Sequence, residues 1–99
     1  MPALVADDFS VLVLEDELRR YPQLEHLSVR KHGPLLILES GPKGDRFAHA
    51  RFRRVTRQWW SPELPGHDGR WGRIPERLPL SQALQLIVSN MPWVLANIE

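Results

Sequence analysis

The spacing of apolar and polar positions changes several times along the chain, and each change marks an element. Over residues 7–21, Phe9, Val11, Leu14, Leu18 and Tyr21 recur close to the three- and four-residue steps of one helix face. Asp7 or Asp8 is placed to cap that helix, Arg19 and Arg20 fall in its last turn, where the dipole favours cations, and Pro22 ends it. Val11-Leu12-Val13-Leu14 taken alone also suits a short buried strand. The longer period favours the helix.

From Leu24 the period drops to two. Leu27 and Val29 alternate with Ser28 and Arg30 until Lys31-His32-Gly33-Pro34 supplies turn residues, which predicts a strand over residues 25–32. The continuous apolar run from Leu35 to Leu38 reads as a central strand, so the two form a hairpin. Residues 40–45 are a loop by composition.

Residues 46–60 then carry five arginines, no acid, two adjacent tryptophans and neither glycine nor proline, and they read as one long basic, aromatic strand. Fully extended, such a strand spans about 50 Å, more than the roughly 30–35 Å breadth of a domain this size, so it must bend or protrude. Ala48, Ala50 and Phe52 would face the core. Keeping that phase would bury Arg54, and one extra residue near Arg53-Arg54 would turn Val55 inward instead, which predicts a β-bulge there.

Residues 61–69 hold two prolines and two glycines and read as a long connection, followed by a short fourth strand over residues 70–74. Trp71 is expected across from Trp59 or Trp60. Pro79 or Leu80 opens a last helix with an apolar stripe of Leu80, Ala83, Leu84, Ile87, Val88 and Met91, ended by Pro92. Residues 93–98 are expected to dock as a short extended tail. The sum is an α+β fold over residues 1–99 as one domain: a four-stranded antiparallel meander with an N-terminal and a C-terminal helix on one face.

Composition narrows the function classes. The absence of cysteine removes disulfides, thiolate metal sites and a cysteine nucleophile, and fits a reducing cytoplasm. No apolar run reaches membrane-spanning length, and the first residues lack the basic region of a signal peptide, so a soluble, cytoplasmic protein without a membrane partner is expected. Net charge is only +1, but residues 1–29 carry six acids against two bases while residues 30–77 carry eleven bases against five acids.

Candidate chemistry is sparse. None of His26, His32, His49 and His67 shows a metal-ligand spacing, and neither a metal nor a cofactor is expected; they read as exposed or partly satisfied histidines. His67, Asp68 and Arg70 share a glycine-flanked loop where acid–base work is conceivable, but no nucleophile accompanies them. Gly41-Pro42-Lys43-Gly44 and Gly66-His67-Asp68-Gly69 match the GxxG clamp of RNA-binding KH domains, yet both join strands rather than helices. No catalytic constellation emerges, and the chain reads as a non-enzyme.

Two functions remain. The first is a small protein-interaction module, homodimeric or a subunit of a larger complex, using Arg53, Arg54, Arg57, Trp59, Trp60 and Trp71 together with the uncharged outer face of the last helix, Gln82, Gln85, Leu86 and Ser89. The second is a single-stranded nucleic-acid-binding regulator using the arginines of residues 46–60, with phosphates on guanidinium groups and bases on Phe47, Trp59 and Trp60. Against the second, the same arginines can pair with the acidic first helix.

Overall fold

The computed structural model describes residues 4–97 and contains two helices and one five-stranded antiparallel sheet. Helix α1 spans Asp8–Leu18 and helix α2 Leu80–Asn90; the strands are β1 Ser28–His32, β2 Leu35–Ser40, β3 Phe47–Arg54, β4 Trp60–Pro65 and β5 Trp71–Arg73, in that spatial order. Among the described residues, no helix is long and apolar enough to cross a membrane. The α+β class and the meander agree with the pattern, but there are five strands where four were expected.

The additional strand comes from residues 46–60, which are not one strand but two joined by a tight turn. The backbone N–H groups of Val55 and Thr56 both donate to the carbonyl oxygen of Trp59, at 2.9 and 3.2 Å. No non-glycine residue described has a positive φ, so this turn needs neither glycine nor proline and carries no compositional flag. Folding back removes the need for the strand to protrude. Pro62 had argued against a strand at residues 61–65. Its carbonyl accepts from Ile74 at 2.8 Å, so the position of its missing N–H also faces the β5 side, where that short strand has ended, and the ladder to β3 is untouched.

The expected bulge exists, at a different place. Leu38 lies opposite Ala50 and Glu39 opposite Ala48, which makes His49 the extra residue, whereas Arg53 and Arg54 stay in register with Ser61 and Trp60. Trp71 lies opposite Pro65, not opposite Trp59 or Trp60.

Both helices pack on the face carrying Leu36, Leu38, Ala50, Phe52 and Trp60, where Leu14, Leu18, Leu80, Ala83, Leu84 and Ile87 complete the core. Helix α1 is a helix through residues 11–14, as the longer period predicted. Its cap is Asp7, whose Oδ1 accepts from the Ser10 backbone N–H at 2.8 Å and from the Ser10 hydroxyl at 2.6 Å. These bonds turn Ser10 to the core side, and Phe9, expected on the buried face, is 73% exposed. The helix ends at Leu18, so Arg19 is its C-cap and Tyr21 precedes a 3-10 turn, Pro22–Leu24. After α2 the chain forms a second 3-10 turn, Pro92–Leu95, in place of an extended tail; Ile98 lies outside the described residues, as does the start of the chain through Ala3.

Candidate functional site

The open face of the sheet, opposite the helices, is where the arginines gather. Alternation puts Arg30 of β1, Leu35, Ile37 and Glu39 of β2, Arg51 and Arg53 of β3, Glu63 of β4 and Trp71 and Arg73 of β5 on this side. No helix covers it, yet Leu35, Ile37, Glu39 and Glu63 are all buried. The register explains how: Arg53 lies beside Leu35, and Arg30 and Arg51 flank Ile37 from both neighbouring strands, so arginine stems roof the apolar side chains.

Two glutamates hold these arginines down. Arg51 donates through Nε to Glu63 Oε1 and Arg53 through Nε to Glu63 Oε2, both at 2.6 Å, and Arg73 Nε stands 3.6 Å from the same carboxylate. Arg30 donates through Nε to both oxygens of Glu39, at 3.1 and 3.2 Å; Arg46 Nε is 3.8 Å away and its Nη1 donates to Ser28 Oγ. Burial pushes the Glu63 carboxyl up, but the hydrogen bonds and charges of Arg53 and Arg51 outweigh it and hold the group below its ordinary value. Glu63 is therefore ionised at neutral pH and locks its partners in place.

The geometry leaves the arginines half used. Arg30, Arg51 and Arg53 are hydrogen-bonded through Nε alone, Arg73 is held only by its ion pair at 3.6 Å, and the terminal Nη groups of all four have no hydrogen-bond partner among the described residues. Arg51 also lies over the Trp71 ring, its guanidinium carbon 4.3 Å from the ring centroid. Five arginines against two glutamates leave three positive charges in excess around these two carboxylates. Such a surface can bind carboxylates or phosphates through several charge-assisted hydrogen bonds at once, with little ordering of long side chains.

The residues singled out from sequence are divided by the fold. Arg53 and Trp71 belong to the arginine surface. Arg54 points to the other side, donating to the carbonyls of Val5 and Arg57 at 2.9 and 2.8 Å and lying over Trp60; it ties the N-terminal segment to the β3–β4 turn. Trp60 is core, 3% exposed, while Trp59 and Arg57 sit on the turn in solvent. The acids of α1 do not meet Arg51 or Arg53: Asp7 approaches Arg54 and Asp8 pairs with Lys31. Gln82, Gln85, Leu86 and Ser89 line a shallow depression on α2, but Glu76 borders it, so this face is less free of charge than the helix alone suggests.

His67, Asp68 and Arg70 occupy the β4–β5 turn. The Arg70 N–H donates to Asp68 Oδ1 at 3.1 Å and Gly66 donates to the Arg70 carbonyl, while exposed His67 has no hydrogen bond or ion pair among the described residues; this is turn chemistry in solvent. Among the described residues, no group of three or more metal-ligating side chains is brought together. His49, expected to be exposed or partly satisfied, is 1% exposed within β3 and bonded to Ser40 and to the Val94 carbonyl. The missed partners of the arginines, Glu39 and Glu63, had one visible signal: both are acids placed among apolar residues or prolines where a strand could bury them.

The fold and this surface define an α+β domain with an anchored arginine array on its open sheet face. No family model, no curated protein and no solved structure matches the chain.

Proposed function

We propose that the chain is a protein-interaction module, without catalysis at this surface, that docks an acidic segment of another protein on the open face of its sheet. The observation that carries the reading is the hydrogen bonding of Arg30, Arg51 and Arg53 through Nε to Glu39 and Glu63, with Arg73 paired to Glu63 at 3.6 Å, which leaves their Nη groups without a hydrogen-bond partner among the described residues. Guanidinium groups already held in place suit planar carboxylates, and a tryptophan beside them adds an apolar anchor of the kind that dominates interface energetics.

The charge pattern bears on the kind of partner. The chain's own acids are concentrated in and before α1, on the opposite side of the sheet. Docking one copy's α1 on another's arginine face would join unlike surfaces on opposite sides, which propagates head to tail instead of closing a dimer. A different protein is the better occupant, in the cytoplasm if the absence of cysteine reflects its compartment. The nucleic-acid reading has less support, because the aromatic residues meant to stack bases are dispersed: Trp60 in the core, Trp59 on the turn and Phe47 at the far end of β3 beside His49. Only Trp71 shares the face with the arginines.

Fluorescence anisotropy with two labelled probes of equal length and charge, an Asp/Glu peptide containing aromatic residues and a single-stranded oligonucleotide, tests the reading. The peptide should bind, weaken with salt, and be lost when Arg51→Gln and Arg53→Gln are combined. Tighter binding of the oligonucleotide would replace the protein partner with nucleic acid, and binding of neither at low salt would end both readings.

A further inference from the structure

A second site, independent of the arginine face, lies where the end of β2 meets the bulge of β3. Ser40 Oγ is 2.7 Å from His49 Nε2, and His49 Nδ1 is 2.9 Å from the carbonyl oxygen of Val94. A carbonyl can only accept, so Nδ1 carries a proton, and in the neutral ring Nε2 then keeps its lone pair and the Ser40 hydroxyl donates to it. The bonding thus selects the tautomer in which imidazole acts as a base toward a serine, with a third group holding the ring.

The bulge creates the arrangement. In unbroken alternation residue 49 would share the open face with Arg51; the extra residue turns His49 to the side of Ala50 and Ser40 instead. Phe47 packs edge-on against the imidazole at 4.9 Å, and the His26 ring stands 5.9 Å away, itself bonded through Nε2 to the Leu95 carbonyl. Ser40 lines a cavity of about 660 Å³ together with His26, Gly41, Pro42, Asp45, Phe47 and Asn97. The base is buried and fixed, and Ser40, itself 6% exposed, lines the cavity.

We propose that Ser40 is a base-activated nucleophile that accepts an acyl group from small activated esters entering this cavity. Ser40 Oγ forms a bond to the acyl carbon as His49 Nε2 takes the hydroxyl proton; the bond to the leaving oxygen then breaks, and that oxygen departs as the alcohol carrying the proton from His49. The products are acyl-Ser40 and free alcohol, with the imidazole returned to its neutral form. Val94 accepts from Nδ1–H throughout and stabilises the imidazolium. This step goes beyond the interaction reading and does not depend on it.

The test is acylation by p-nitrophenyl acetate and phosphonylation by a fluorophosphonate probe, followed by intact mass and peptide mapping. The expected result is a single adduct on Ser40, formed on the order of 10²–10⁴ times faster than any labelling of Ser40→Ala, the range a positioned general base supplies. His49→Gln should slow the reaction by a similar factor with Ser40 still present. If that variant does not fold by circular dichroism, Ser40→Cys decides, since its alkylation by iodoacetamide should exceed that of an exposed reference thiol. Equal labelling of wild type and Ser40→Ala, or an adduct mapped to another residue, overturns the proposal. Acylation of Ser40 and peptide docking are read in separate assays, which separates failure of this proposal from failure of the docking reading.

Discussion

Glu63→Gln separates anchored arginines from mere positive charge. Glu63 is the one acid serving Arg51, Arg53 and Arg73, and its side chain is 6% exposed. Glutamine keeps the shape and one carbonyl acceptor but sets an amide N–H₂ against the second guanidinium, donor facing donor. Hydrogen bonds to charged groups contribute about 1.5–3 kcal/mol each, and removing one partner of a buried ion pair costs about 3–5 kcal/mol. The arginine side chains are 20% and 32% exposed, so the freed guanidinium groups turn partly to water. The expected loss is therefore nearer about 2 kcal/mol, a fall in Tm on the order of 10 °C for a chain this short.

The pH dependence has a definite sign. The folded-state pKa of Glu63 is held below its ordinary value of 4.5, so the group adds stability at pH above 4.5, and this contribution is lost as pH falls through the folded-state value. Urea unfolding should show the wild type ahead of Glu63→Gln at neutral pH with the same m-value, and the gap should close on acidification below 4.5. The same variant makes the open face more positive by one charge while releasing its arginines. If anchoring matters, the acidic peptide binds less tightly despite the added charge. A stability difference within about 0.5 kcal/mol, or tighter peptide binding, would refute the reasoning.

Other substitutions probe the scaffold. Trp60→Ala should destabilise by about 3–5 kcal/mol in urea unfolding, and Trp59→Ala by no more than about 0.5 kcal/mol, although the two residues are adjacent. Gly41→Ala should cost about 1–3 kcal/mol by the same measurement, because Gly41 has φ +101° and an added Cβ would lie 2.8 Å from the Asp45 carbonyl oxygen. Asp7→Ala should cost about 1 kcal/mol and lower the thermal midpoint, by removing the bonds from the Ser10 N–H and hydroxyl that cap α1.

What could be read from the sequence was what local pattern encodes. Both helices follow from the three- and four-residue spacing, and so does a cap at Asp7 or Asp8, of which the structure uses Asp7. The β1–β2 hairpin follows from Gly33-Pro34 between two apolar runs. The same reasoning misplaced Phe9, because α1 carries apolar residues around more than one face and only the Asp7–Ser10 bonds decide which face turns inward. It missed the β3–β4 turn, because hydrogen bonds to the Trp59 carbonyl close it without glycine or proline.

That one omission hid the arginine surface. Read as a loop because of Pro62 and Pro65, residues 61–65 have no face and no register, so Glu63 has no reason to meet Arg51, twelve residues earlier in the chain. Once the turn is recognised, period-two alternation puts Arg51, Arg53 and Glu63 on the same side, and Arg73 follows from the next hairpin. The arginine-rich stretch that drew attention was thus half of a site whose other half, an acid between two prolines, had been assigned to a connection. A run of like charges beside a nearby strand-compatible acid is better tested by pairing the two segments in register than by asking what external ligand the charges would bind.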